Sequence, residues 1–160
     1  MQARRSGILF GSRPEDAHWD WRQKSQAIGG MLGYQSFAVT CQDELQGLMM
    51  LNDMASAKLG NQFGKPLIYV EFVATAPWNR TSNQEPPKYR GVGHVFVLTA
   101  IEASREAGFR GRVGLHSLPD AEPFYERKCG FTRLGPDYSH QNLTYFEMTE
   151  TQAEAFRRNH

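Results

Sequence analysis

Two glycines with a basic residue on each side, Lys88-Tyr89-Arg90-Gly91-Val92-Gly93-His94, lie between a strand-like run ending near Ala76 and a helix-like run reaching Ala107. The chemistry such a stretch can do is anion binding. The first turn of a helix leaves backbone N–H groups without partners and carries the positive end of the helix dipole, so main chain alone can hold a diphosphate. Gly91 and Gly93 would let the ligand approach that backbone; a plain glycine-rich turn is the alternative. The second reactive residue is Glu71, the one charge in the apolar run Pro66 to Ala76 (PLIYVEFVATA). Desolvating a carboxylate is costly and raises its pKa, so Glu71 needs either a partner, as in a core or edge salt bridge, or a purpose as a general base.

The elements that must position these residues can be read from apolar periodicity. Pro66 to Ala76 is the strongest strand, nearly continuous in apolar and β-branched residues, as expected where both faces are covered. Period two puts Glu71 on the face shared by Tyr69, Val73 and Thr75. Pro77 to Pro87 reads as an exposed loop, Gly91 to Ala107 as a helix stopped by Gly108, and Arg112 to His116 as a short strand. Strand, crossover helix and strand at this spacing predict a parallel pair. Upstream, Arg5 to Phe10 predicts a first strand and Pro14 to Ile28 a helix, with Trp19 and Trp21 packing against the core or lining an acceptor pocket. Tyr34 to Cys41 and Leu45 to Leu51 predict a hairpin turned at Gln42-Asp43-Glu44, with Gly47 marking a bulge or a poor strand position. Asn52 to Lys65 reads mainly as loop. Ser117-Leu118-Pro119-Asp120 has capping-box form and predicts a helix to Cys129, ended by Gly130. Phe131 to Leu134 and Leu143 to Met148 are further strands joined by a loop over Gly135 to Asn142, and Glu150 to Arg158 a final helix.

Length and composition set the frame. At 160 residues one domain, 1–160, is expected. Lys plus Arg (18) nearly balances Asp plus Glu (17), which argues against nucleic acid or a membrane surface as main partner. With no run of the ~20 apolar residues a spanning helix needs and no signal-peptide core, a soluble, cytoplasmic protein is expected. Cys41 and Cys129 match no metal spacing and predict free or buried thiols; the five histidines are expected to form no ligand cluster, and no metal is expected.

Lys88-Tyr89-Arg90-Gly91-Val92-Gly93 after a buried strand, followed by Phe124-Tyr125-Glu126-Arg127-Lys128-Cys129-Gly130-Phe131 after the next, resembles the GNAT superfamily of N-acetyltransferases. That family's phosphate loop runs Gln or Arg, two residues, Gly, one residue, Gly or Ala; Lys88 replaces the first position, keeping charge but not side-chain geometry. The resemblance covers about Pro66 to Phe131. It implies an α/β fold with a mixed sheet of six to seven strands, splayed between Leu67–Ala76 and Arg112–His116 and flanked by about four helices. It further implies acetyl-CoA as acetyl donor. The main chain of Val73, Ala74 and Thr75 would pair with the pantetheine arm, and Lys88, Tyr89, Arg90, Gly91, Val92 and Gly93 would hold the pyrophosphate. A backbone amide near Val73 would meet the oxyanion, Glu71 would be the base, and Tyr125 the acid for the departing thiolate. Where many members carry Asn, this chain has Leu118, so that hydrogen bond is lost or moved to Ser117, and His116 is an alternative base.

The function implied is direct acetyl transfer to a primary amine of a small molecule or a protein, with a homodimer possible. The competing reading is a non-catalytic acyl-CoA-binding or interaction module of the same fold. An acetyltransferase acting on aminoacyl-tRNA would share the chemistry, and the near-neutral charge argues against it.

Overall fold

The computed structural model describes residues 2–5, 33–79 and 91–160. The expected strand beyond Arg5, the helix over Pro14 to Ile28, the loop from residue 80 onward, and Lys88, Tyr89 and Arg90 lie outside the described residues. Seven strands form one sheet: β1 (Gln2–Arg5), β2 (Tyr34–Cys41), β3 (Glu44–Ser56), β4 (Pro66–Thr75), β5 (Val113–Ser117), β6 (Thr132–Asp137) and β7 (Leu143–Met148), in the order β1-β2-β3-β4-β5-β7-β6. Two α-helices are described, α1 (Val92–Glu106) and α2 (Glu150–Asn159). No helix among the described residues is long and apolar enough to cross a membrane. Contacts divide the chain into two compact units, Met1–Leu51 with Phe72–Phe96 and Asn52–Glu71 with Val97–His160.

In the first unit β1 runs antiparallel to β2, from Gln2↔Thr40 to Arg5↔Phe37. The β2–β3 turn is made by Gln42 and Asp43 at φ 51° and 62°, a left-handed pair whose twist suits a two-residue hairpin. Gly47 is a close-approach glycine rather than a bulge. A Cβ there would lie 2.6 Å from the Phe96 ring and 3.0 Å from the Ala74 carbonyl, so the missing side chain lets the first turns of α1 settle onto bare strand. The segment after β4 is not the exposed loop expected at its start. Pro77–Asn79 is a 3₁₀ turn tied to fully buried Gln46, whose Oε1 accepts from Trp78 Nε1 at 2.9 Å and Asn79 Nδ2 at 2.7 Å.

In the second unit β4 and β5 are parallel, as expected, through Ile68↔Val113, Tyr69↔Gly114 and Val70↔Leu115. β5 and β6 both flank β7 antiparallel, with an irregularity between Arg133 and Gly135. Ile68, Val113, Ile101, Phe146, Met148 and Phe156 are buried core. β3 continues to Ser56 where loop was expected from Asn52, because the neighbouring strand supplies ladder partners to residues of low strand propensity. β6 likewise extends to Asp137 and shortens the expected Gly135–Asn142 loop. The capping box expected at Ser117 is absent: Ser117 Oγ donates to the Leu118 carbonyl at 2.8 Å. Instead of one helix, a 3₁₀ turn (Pro119–Ala121) leads into a π-helical turn (Phe124–Lys128). The reciprocal capping box belongs to α2, where Thr149 and Gln152 satisfy each other's backbone N–H.

Candidate active site

The main-chain half of the expected site lies in the first unit. β4 runs on to Thr75 while its pairing with β5 ends at Val70. α1 then begins at Val92, directly after Gly91, whose φ of +83° demands glycine, and a Cβ built there meets nothing within 4 Å among the described residues. An open glycine in front of a helix N-terminus is the geometry that admits an anion to backbone N–H groups. Phe96, locked over Gly47 by the contacts above, fixes where that N-terminus sits.

Tyr125 belongs to the second unit and sits in the π-helical turn, where the Cys129 N–H reaches back to the Phe124 carbonyl at 3.0 Å. π turns are uncommon and concentrate at functional positions. The ring is 8% exposed and meets Phe124, Phe131 and Phe146 at centroid distances of 5.2, 5.7 and 6.2 Å. Burial, with the nearby Cys129 thiol adding, pushes the phenol pKa up to about 12. Among the described residues nothing hydrogen-bonds its hydroxyl, and an orphaned buried hydroxyl is costly unless a ligand atom completes it. Cys129 is itself buried, and desolvation pushes its thiol up to about 12, which leaves little thiolate for nucleophilic work.

Glu71 is half-buried and its Oε1 accepts from Asn52 Nδ2 at 3.0 Å. Among the described residues it has no salt-bridge partner, so its second oxygen stays available. Ser117 is 2% exposed with its hydroxyl hydrogen spent on Leu118; only its oxygen lone pairs remain for a ligand.

The sequence pointed to His116 alone, yet the structure surrounds it with a polar array drawn from four places in the chain. Tyr69 Oη lies 2.6 Å from His116 Nδ1, and His116 Nε2 lies 2.8 Å from Asp137 Oδ2. His140 stacks on the His116 ring at 3.8 Å and reaches Asp137 Oδ2 at 3.2 Å, and Lys58 Nζ lies 3.2 Å from the same oxygen. This corrects the expectation that the histidines form no cluster: residues 116 and 140 are distant in sequence, and the β6–β7 connection brings them together. His116, Asp137 and His140 hold donor atoms within 4.8 Å of one another, a spacing that suits a cation. Lys58 Nζ and His116 Nε2 both reach Asp137 Oδ2, so the arrangement is a hydrogen-bonded network.

Electrostatics sharpen its polarity. The Ser139 hydroxyl first, then His116 and Lys58, hold the Asp137 carboxyl far below the usual carboxylate range. An ionised Asp137 can only accept, so His116 Nε2 donates and its Nδ1 lone pair accepts from the Tyr69 hydroxyl. Burial chiefly, helped by the charges of His140 and Lys58, lowers the His116 pKa against the opposing hydrogen bond from Asp137. Burial first, then the Glu71 and Asp137 charges, raises that of Tyr69.

An open mixed sheet carrying these features has the GNAT-like N-acetyltransferase fold. The chain matches no family model and no curated protein. Among solved structures it is similar to KacTA in complex with DNA (17% identity, 96% of this chain and 92% of that one, TM-score 0.64). It is also similar to FeeM, an N-acyl amino acid synthase from uncultured soil microbes (16%, 96% and 92%, 0.60), and to the Bacillus subtilis N-acetyltransferase YlbP bound to coenzyme A (12%, 92% and 95%, 0.56). At these identities the likeness is one of fold.

Proposed function

We propose that the chain is an acetyl-CoA-dependent N-acetyltransferase that acts by direct transfer on the primary amine of a small molecule or peptide. The observation that carries the proposal is the Tyr125 hydroxyl, buried, protonated and without a partner among the described residues, which suits an acid waiting for a departing thiolate. The GNAT-like fold and the coenzyme A bound to YlbP support the donor.

When bound, acetyl-CoA supplies an acyl carbon activated as a thioester. Backbone N–H groups over Lys88–Gly93 would hold its pyrophosphate, and the Val73–Thr75 main chain its pantetheine arm, with a backbone amide near Val73 facing the carbonyl oxygen. Ser117 Oγ would accept one further hydrogen bond. Glu71 meets the acceptor, as counter-ion to its ammonium and as candidate base. Tyr125 delivers its proton to the sulfur, and Cys129, held as thiol, takes no part.

The test is thiol release from acetyl-CoA across a panel of amino acids, polyamines, peptide N-termini, lysine peptides and aminoacyl-tRNA. The last stays in the panel because KacTA, of similar fold, is found with DNA, so balanced net charge does not by itself exclude a nucleic-acid partner. Amine-dependent release is expected, with Tyr125→Phe lowering kcat about 10²-fold and leaving acetyl-CoA affinity unchanged. Tight acetyl-CoA binding without transfer to any amine would make the chain an acyl-CoA-binding module instead.

A further inference from the structure

An amine attacks only when neutral, and in water it arrives as ammonium, so its proton needs a destination. Glu71, one carboxylate with one oxygen already held by Asn52, supplies a charge, and the proton still needs an onward path. Two residues earlier on the same face of β4, Tyr69 supplies one.

We propose that Tyr69, His116 and Asp137 form the proton relay of the acceptor site, taking a primary alkylammonium as substrate, and that Glu71 is the counter-ion that seats it. The assignment rests on the acetyltransferase reading. Tyr69 Oη accepts the ammonium proton as it passes its own along the 2.6 Å contact to His116 Nδ1. One N–H bond of the acceptor breaks and one Oη–H bond forms; the old Oη–H bond breaks and an Nδ1–H bond forms. The net change is one proton and one positive charge moved from substrate nitrogen to imidazole. Asp137 stays ionised and steadies the imidazolium through the 2.8 Å bond to Nε2.

Three features favour this use over a structural one. The His116 side chain is 4% exposed with both nitrogens engaged, so its tautomer is fixed in advance. Among the described residues, the groups facing it are Tyr69 from β4, Lys58 ahead of β4, Asp137 from β6, His140 from the following turn, and Tyr145 from β7, its ring 5.0 Å away. Glu147 of β7, on the same face, is saturated by the Lys58 and Leu59 amides, Gln62 and Tyr145. Burial chiefly, with the charges of His140 and Lys58 adding, favours the neutral ring before reaction and leaves Nδ1 able to accept.

The experiment uses the fastest alkylamine of the panel and its β,β-difluoro analogue, which is largely neutral at about pH 7.5 and so needs little proton removal. His116→Gln and Tyr69→Phe are expected to lower kcat about 10²-fold for the alkylamine but less than about tenfold for the fluorinated one. Nitrogen-15 spectra of the histidine rings should show His116 as the Nε2–H tautomer, with its Nδ1 resonance displaced by Tyr69→Phe. Equal losses on both amines, or an Nδ1–H tautomer, would overturn the relay while leaving acetyl transfer standing. A wild-type protein inert toward every amine would overturn acetyl transfer and the relay with it.

Discussion

Burial sets the chemistry of Tyr125 and Cys129 together, and it does so in opposite senses for their usefulness. A phenol whose pKa is pushed up to about 12 stays protonated at neutral pH and can donate a hydrogen bond to a thiolate departing beside it; a thiol held to about 12 is deprived of the anion it would need to attack. Cys129→Ala is therefore expected to keep kcat within about twofold, at a stability cost on the order of 1 kcal/mol for the lost packing. Intact-mass measurement after acetyl-CoA should find no acetyl adduct, and a covalent adduct on Cys129 would replace direct transfer with a two-step route. Tyr125 was singled out in the sequence by the family resemblance that Phe124-Tyr125 and Gly130-Phe131 carry. The relay was not: residues 69, 116 and 137 come from three strands, and no local pattern links a tyrosine in a buried run to an aspartate ending a strand expected to stop at Leu134. The usable signal was His116 at a strand end, together with a polar, histidine-bearing stretch after Gly135.

Two glycines show how elements set their neighbours in place. A Cβ on Gly47 would collide with Phe96 and press on the Ala74 carbonyl, whereas one on Gly114 would lie 2.5 Å from the Tyr145 hydroxyl. Each alanine substitution should cost about 1–3 kcal/mol as an overpacked site. Gly47→Ala, displacing the start of α1, should also weaken acetyl-CoA binding measured by calorimetry, and Gly114→Ala should not; equal affinities would show that α1 does not depend on this contact for its placement. Tyr145 matters because it helps satisfy Glu147, fully buried and accepting from four donors at 2.6 to 2.9 Å. Glu147→Gln points an N–H₂ group at donors and should lower stability by about 2–4 kcal/mol in urea unfolding, loosening the loop that carries Lys58. Among elements, β4, α1, β5, β7 and α2 were legible from periodicity and glycine stops. The tail of β3 and the extension of β6 were not, since pairing with a neighbour overrode polar residues. The Ser117 cap failed because a hydroxyl that can serve its own backbone competes with the cap.

At the scale of the whole molecule, the relay that would move a proton also makes folding depend on protons, and the sign can be worked out group by group. His116 has its folded pKa lowered below the ordinary 6.5, so as pH falls below that value the unfolded chain takes up a proton the folded one refuses, and stability drops until the folded pKa is passed. Asp137 has its folded pKa far below the ordinary 3.8; its contribution is complete above that value and is lost progressively as pH falls beneath it. Urea midpoints should therefore decline in two stages on acidification, one beginning near neutrality and one below about pH 4. His116→Gln should remove the upper stage. Asp137→Asn should remove its own contribution to the lower stage and, by taking away the hydrogen bond that props up the His116 pKa, widen the upper one. A profile unchanged by both substitutions would mean that the contacts joining Tyr69, His116 and Asp137 are not held in solution, and the proton path would lose its footing along with the stability it implies.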